Sequence, residues 1–590
     1  MNQPAHNLAA RARESRSLLL LLRLLFVILA SGWLLYLLSG HRMVEAAYNG
    51  SSFDFLNRMI EDQHISSLQH YIDKADQLFL LLNVHLIIVS TLGLLLLTRH
   101  DVLLGNRITM VILSFVVIVV TLTLKPMARG DAPGYFLVTE SFFNHLAPDL
   151  RPEDIESIAQ LESKFDFPLL NRNVQHDYYF KANDGKLYSI HFWGYSLLNL
   201  PAKILLRLSG LNEARTFQIT NGLLLLLSLW HVVLLAALTE RQKQLFILLL
   251  FCSPMLWFVY WPHTEVFSFA FVVMSLVYVS RHNWHGAILC AAIAAVQNPP
   301  LILMAGFVWL LGMIHAKSKR KGLLSLSLAA LPAFAPYAFS LIKYGVFSLY
   351  ATKSAGTDIL SVPKAFDLFF DLNIGMLPYV PVALLLAWWV WLRDGLLQRR
   401  FTLAMQLFVL LMAMMIVCTG SRLWNHGTTG PSRYVIWMLP LVFYVVINDV
   451  ARVRAVRSVY VSLVWLAILS QLGLVMLGGG FRSSANHTRH TYVAKFVLDH
   501  APALYNPNYE VFDDRTAHRI SMVTRSDSLG FFVHDHRTPV VYRRSGECRK
   551  AMVRGRDKEA LLGLCGSIPV SKQSFFDDEA NRDKTIYVNY

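Results

Sequence analysis

Apolar residues run through this chain in long blocks separated by short polar stretches. A helix needs about 20 residues to cross a hydrocarbon core, and many blocks approach that length. They do not alternate as the strands of a spanning barrel would, so the pattern predicts helices. About thirteen candidate spans follow: Leu18–Leu38, Leu78–Leu97, Ile108–Leu124, Phe217–Leu238, Leu245–Tyr260, Val266–Val279, Trp284–Val296, Leu301–Ile314, Leu323–Ile342, Met376–Leu392, Phe401–Val417, Tyr434–Ile447 and Val459–Leu477. The block from Trp284 to Ile314 is interrupted at Asn298-Pro299-Pro300. Two short helices with a tight turn are expected there rather than one kinked span.

The charges between blocks give a direction. Arg11, Arg13 and Arg16 precede the first span, which sets the N-terminus in the cytoplasm by the positive-inside rule. Alternation then places every later basic cluster on that side, including Arg241 with Lys243, Lys317 to Lys321, Arg399 with Arg400, and Arg452 to Arg457. A single span across Asn298 would break the agreement. The opposite, external side receives residues 125–201, 343–375, 420–433 and the tail 478–590. The organisation expected is helices 1–3 in residues 1–124, a large external loop in 125–201, a helical core in 202–477 and a small extracytoplasmic α+β domain in 478–590. Phe531-Phe532-Val533 and Val540-Val541-Tyr542 are its strand-like pieces.

Of the 590 residues, 55% are hydrophobic and only 16% charged, against about 25% charged in soluble domains. The net charge of +15 is accounted for by the inside loops, so nucleic acid is not an expected partner. Cys252, Cys290 and Cys418 fall in or beside spans as small apolar residues. Cys548 and Cys565 lie in the external tail, where an oxidising compartment would let them pair.

Four constellations carry candidate chemistry, all on the external side. Arg129-Gly130-Asp131-Ala132-Pro133-Gly134-Tyr135 precedes a helical spacing of Tyr135, Val138, Phe142 and Leu146, read as an amphipathic helix on the membrane surface. Asp131 there suits a helix cap or a base, roles that do not exclude each other, although a carboxylate satisfied by N–H groups is a poorer base. Lys186 to Tyr195 mixes a cation, His191 and several aromatics, a pattern shared with ordinary interfacial belts. Tyr260-Trp261-Pro262-His263-Thr264-Glu265 places an imidazole and a carboxylate in a turn. Such a pair suits acid–base chemistry but falls short of the three protein ligands that zinc takes. Gly420 to Tyr434 is glycine-rich and bears Arg422 and Arg433, a combination suited to phosphate. Glycine patterns of nucleotide-binding loops are missing from any strand–helix context.

In this order the motifs resemble the GT-C glycosyltransferases, most of all the aminoarabinose transferases and protein mannosyltransferases that use polyprenyl-phosphate sugars. Gly130-Asp131-Ala132-Pro133-Gly134-Tyr135 resembles the family's Gly-Asp-Glu-Pro-x-Tyr segment. Tyr188-Ser189-Ile190-His191-Phe192-Trp193-Gly194 is similar to its Tyr-x-x-His-Pro-Pro-Gly segment, and Trp424 to Tyr434 to its late Trp-x-Gly-Gly…Gly-x-Arg-Tyr segment. The likeness spans about residues 108–450. Ala132 stands where the family has a second acid, Phe192-Trp193 where it has paired prolines, and two extra spans precede Asp131.

The resemblance implies a bacterial inner-membrane enzyme that inverts the anomeric centre of a sugar on a polyprenyl phosphate and delivers it to an external glycan, lipid or protein. Asp131 would be the general base. Lys186, Arg422 and Arg433 would hold the donor phosphate. Tyr135, His191, His263 and Glu265 would bind sugar or acceptor, with a divalent cation left open and no other cofactor indicated. The rival expectation is a multi-pass transporter or lipid flippase, which would carry ionisable groups at mid-span. His85, Asn221 and His231 are the polar candidates there.

Overall fold

A computed structural model of the chain describes residues 105–127, 130–165, 167, 178–354, 360–421, 424–425, 430–450, 457–481, 489–501, 504–505, 507–516 and four short strands beyond. The first two expected spans, Arg422, His85, Cys548 and Cys565 lie outside the described residues.

Helix α1 (Asn106–Thr123) opens the described part, followed by α2 (Ala132–His145), strand β1 (Asp149–Leu150) and α3 (Pro152–Phe165). Strands β2 (Tyr179–Lys181) and β3 (Leu187–Ser189) complete an antiparallel sheet of order β1-β3-β2, in which Tyr188 pairs with Asp149 on one side and Phe180 on the other. Then come α4 (Gly194–Leu208), α5 (Thr216–Leu235), α6 (Glu240–Phe251), α7 (Glu265–Ser280), α8 (Trp284–Gln297), α9 (Ile302–His315), α10 (Lys319–Ala330), α11 (Ala335–Tyr344) and α12 (Leu349–Ser354). Helices α13 (Val362–Phe370), α14 (Pro381–Leu392), α15 (Leu403–Cys418), α16 (Arg433–Val450), α17 (Arg457–Leu477), α18 (Tyr492–His500) and α19 (Tyr509–Thr516) follow. Strands β4 (Gly530–Phe531), β5 (Val540–Val541), β6 (Met552–Val553) and β7 (Tyr587–Val588) form a sheet of order β6-β4-β5-β7.

The protein has an all-α polytopic membrane architecture. Among the described residues five helical segments are long and apolar enough to cross a bilayer, and further apolar helices are shorter. Their burial sorts them. Helix α16 is 89% buried and apolar all round, as a helix in the centre of a bundle must be. It packs on α7, whose residues are also almost all buried. The stretch Lys319–Tyr344 is only 17% buried, and its Leu324, Leu328, Leu331 and Ile342 are exposed. Helices α1 and α5 approach closely at Gly222, where an added Cβ would lie 2.7 Å from the Thr121 methyl. Small residues permit that approach between helices in lipid.

Prolines decide several helix bounds that hydropathy alone misplaces. The expected span Leu323–Ile342 is two helices joined by a 3-10 turn, Leu331–Phe334, around Pro332. Leu245–Tyr260 stops at Phe251, and Pro254 starts a 3-10 turn. Met376–Leu392 becomes helical only from Pro381. At Asn298 the chain forms two helices as expected, and Gly312 of α9 lies against Trp284 of α8, so the pair runs antiparallel.

Helix α2 differs from the expectation of a surface helix. Its residues Ala132 to Phe142 are all buried. Helix α3 and the sheet cover its outer side, and α4 lies against it. Its polar residues are paired within: Glu140 with Lys203 at 2.5 Å, and Ser141 with Asp154 at 2.9 Å.

Candidate active site

Asp131 sits at the mouth of α2, just after Gly130, whose φ of +59° makes the turn into the helix. That left-handed conformation is open to glycine with little strain. Tyr178 donates to the Gly130 carbonyl at 3.0 Å and holds the turn. Asp131 occupies the N-cap position of α2, yet its side chain makes no capping bond. The cap alternative is therefore excluded, and the carboxylate points elsewhere.

Around it stand three groups from distant parts of the chain. His263 Nε2 lies 2.9 Å from Asp131 Oδ2, Arg433 Nη1 at 3.5 Å and His191 Nε2 at 3.6 Å. His191 follows the β3 strand and is placed by the Ile190 N–H donating to the Tyr178 carbonyl at 2.8 Å and by its own N–H donating to Ser189 Oγ at 3.1 Å. His263 lies in the turn before α7, and Arg433 is the first residue of α16. Behind His263, Glu265 Oε2 bonds to Nδ1 of the same ring. Glu265 is fully buried, whereas the side chains of Asp131, His191 and Arg433 keep 26%, 15% and 15% of their surface exposed. Those three form the open edge.

Aromatic rings fix the imidazoles. Tyr135 stacks on His191 with centroids 5.0 Å apart and meets His263 edge-on at 5.5 Å. Trp261 stacks on His263 at 4.3 Å. The polar mid-span candidate Asn221 also serves this turn. Its Nδ2 donates to the carbonyls of Val259 at 3.2 Å and Trp261 at 2.9 Å, while Tyr195 donates to its Oδ1 at 2.7 Å. His231, the other described candidate, turns back onto the Leu227 carbonyl of its own helix.

The electrostatics follow from this packing. Burial pushes the Asp131 carboxyl up, but His191, His263 and Arg433 outweigh it and hold the group far below the usual carboxylate range. Burial pushes His191 down to about 4 against the pull of Asp131. Burial opposes charge on His263 too, but Glu265 and Asp131 on either side raise it above its ordinary value. At neutral pH His191 is thus uncharged, and Arg433 is the permanent cation beside Asp131.

His263 Nε2 faces an acceptor, Asp131, and a permanent donor, Arg433 Nη1, which approaches to 3.2 Å. Protonated, Nε2 donates to Asp131. Deprotonated, it accepts from Arg433. Both states are hydrogen-bonded, so a proton can reside there or leave without stranding a buried polar atom. Arg433 itself has a spare donor: its Nε is buried with no hydrogen-bond partner among the described residues, while Nη2 reaches the Tyr350 hydroxyl at 3.4 Å.

Among the site residues expected from sequence, Asp131, Tyr135, His191, His263, Glu265 and Arg433 are brought together. Lys186 is not. It lies in the turn between β2 and β3, half-exposed, with Nζ 3.3 Å from Asp149. The β1–β3 pairing sets that contact and directs the ammonium away from the cluster. Tyr350 and Asn221 were not expected at the site, and Trp261 and Tyr195, though within two of the motifs, had no role assigned. A lone tyrosine in so short a helix as α12 carries no periodic signal that would single it out. Among the described residues no three His, Cys, Asp or Glu side chains converge as metal ligands, and the Arg433 cation lies within 3.5 Å of both Asp131 and His263.

No family model matches the sequence, and no curated protein matches it. Two solved structures are similar to it, both of ArnT from Cupriavidus metallidurans. The one bound to undecaprenyl phosphate is 14% identical with a TM-score of 0.37, covering 59% of this chain and 60% of that chain. The apo form is 14% identical with a TM-score of 0.36 and the same coverage. The chain thus spans about three fifths of the length of these structures.

The loop bearing Arg433 is clamped from the tail. Glu510 accepts the backbone N–H of Trp424 at 2.8 Å and of Asn425 at 3.0 Å. Arg515, fully buried, donates to Asn425 Oδ1 at 3.1 Å, to the Gly430 carbonyl at 2.7 Å and to the Arg489 carbonyl at 3.0 Å. Asp371 and Asn373, ahead of α14, are joined to Tyr505 in the same way at 3.0 and 2.9 Å.

Proposed function

We propose that this chain is a membrane glycosyltransferase that moves a sugar from a polyprenyl-phosphate donor to an extracytoplasmic acceptor with inversion. The observation that carries the proposal is the ionised, uncapped Asp131 carboxylate beside a guanidinium whose Nε donor is unused. The order of the motifs resembling the GT-C enzymes supports the donor class. The positive-inside pattern supports an N-terminus in the cytoplasm and a site on the outer face.

In this scheme the acceptor hydroxyl hydrogen-bonds to Asp131 and attacks the anomeric carbon. The bond to the donor phosphate breaks on the opposite face. A carboxylate with so low a proton affinity takes the proton late, once the attacking oxygen is bonded to carbon and has become acidic. His263 donates Nε2–H to Asp131 and holds the carboxylate towards the acceptor, and the proton then leaves Asp131 for solvent at the open edge. Arg433 presents Nε–H to a phosphate oxygen as charge builds on it, the kind of donor whose interaction strengthens in a dry site. Glu265 orients the imidazole, and Tyr135 and Trp261 hold its plane. The isoprenoid tail lies along the apolar flank of the bundle, each buried CH₂ contributing about 0.8 kcal/mol.

The test is direct. Purified protein is incubated with polyprenyl-phosphate sugars, and loss of sugar from the lipid is followed for the wild type and for Asp131→Asn. Transfer is expected to fall by about 10²-fold or more in the variant while its elution and thermal unfolding stay unchanged. Movement of the donor across a bilayer with its sugar intact would mean a flippase instead.

A further inference from the structure

At the end of the bundle away from Asp131, two turns lie side by side. One joins α7 to α8 (Arg281, His282, His285), and the other joins α9 to α10 (Lys317, Arg320, Lys321). Ring contacts fix their proximity: His315 stacks on Trp284 with centroids 5.0 Å apart and stands 6.0 Å from His282. Arg281, His282, His285, Lys317, Arg320 and Lys321 are all exposed. No Asp or Glu stands between Glu265 and Asp358 in the sequence. The carboxylate in the neighbouring α5–α6 turn, Glu240, is already engaged by Lys243 at 3.0 Å and Asn106 at 2.7 Å. Among the described residues, therefore, these basic groups have no carboxylate partner.

Directly beside them the surface is apolar. Leu310, Ile314, Leu323 and Leu324 are 50–68% exposed on α9 and α10. Trp284 is half-buried at the boundary. A cationic rim above an exposed aliphatic wall with a tryptophan at the seam matches a molecule with an anionic head and acyl chains. A soluble phosphate would use the rim and leave the wall bare.

We propose that this face is a binding surface for an anionic phospholipid, with the headgroup phosphate among Lys317, Arg320, Lys321 and Arg281 and the acyl chains along α9 and α10. Lys319 is not part of it, since its ammonium holds the Met313 and Ile314 carbonyls at the end of α9. The surface is independent of the proposed sugar transfer.

The test uses the full-length protein in detergent, where membrane sidedness plays no part. It is mixed with equimolar phosphatidylglycerol and phosphatidylcholine, and retained lipid is read by native mass spectrometry. The wild type is expected to retain phosphatidylglycerol in about tenfold excess. The triple variant Lys317→Gln, Arg320→Gln, Lys321→Gln should lose that excess, and Arg399→Gln with Arg400→Gln, in another basic turn, should keep it. Equal retention of the two lipids by the wild type overturns the proposal whatever the variants do. So does an equal loss in the Arg399/Arg400 pair, or displacement of the lipid by millimolar glycerol phosphate.

Discussion

His263 Nε2 lies 2.9 Å from Asp131 Oδ2 although 132 residues separate them in the chain. Glu265 holds the other nitrogen of that ring. The two carboxylates make this imidazole the most strongly charge-favoured histidine of the site, while its neighbour His191 is pushed the other way.

The opposite shifts give a pH dependence whose sign can be worked out. His263 has a folded pKa above 6.5, so its stabilisation is complete below pH 6.5 and is lost as the pH rises through the raised value. His191 falls from 6.5 to about 4, so the unfolded chain binds more protons between those values and stability drops as the pH falls from 6.5 towards 4. Asp131 adds stability above pH 3.8 that is lost below it. Unfolding temperature in detergent should therefore be greatest near pH 6.5. Glu265→Gln should bring the alkaline loss to lower pH, and His191→Gln should reduce the acid loss. Parallel curves for all three proteins would show that these groups do not titrate as described.

Arg433→Lys tests the fork rather than the charge. Lysine keeps the cation but cannot serve Asp131, Tyr350 and a phosphate oxygen together. Sugar transfer should fall by about 10²-fold, and Arg433→Gln should fall further. A lysine variant with wild-type kcat/KM would leave Arg433 as a simple counter-ion.

The tail clamp predicts a stability effect away from the site. Glu510→Gln weakens the bonds to the Trp424 and Asn425 N–H groups and should cost about 2 kcal/mol. Arg515→Met strands Asn425 Oδ1 and the Gly430 carbonyl and should cost more. Both are read as lower unfolding temperatures. An unchanged melt for Arg515→Met would mean that the clamp contributes nothing to the fold.

Gly222→Val tests the α1–α5 contact. The branched side chain meets Thr121 and Val117, whose nearest atoms already lie 2.7 and 3.3 Å from where a Cβ would stand. Overpacking of this kind costs about 1–3 kcal/mol. The pair Gly222→Ala with Thr121→Ser relieves the nearest clash and should recover much of the loss. An equally unstable pair would place the strain elsewhere.

Local chemistry made much of this protein readable from its sequence. Block length marked the helices because the hydrocarbon core sets one length for every span. Loop charge gave one consistent direction because each lysine or arginine acts on its own span. Pro299-Pro300 marked the hairpin because proline removes a backbone donor wherever it stands. The short motifs around Asp131, His191, His263 and Arg433 were visible for the same reason, as groups of reactive residues near span ends.

Tertiary packing alone decided what those residues do to one another. No pattern in the sequence separates an aspartate that caps α2 from one that leaves the cap unused, since both occupy the same position. The helical spacing of α2 marked an apolar face but not that α3 and the sheet would cover its other side. Lys186 was equally suited to a phosphate until the pairing of β1 with β3 put Asp149 beside it. Tyr350 and Asn221 entered the site through contacts between segments far apart in the chain. Periodicity records what each segment prefers on average, whereas a site depends on which segments meet, and only the packed bundle fixes that.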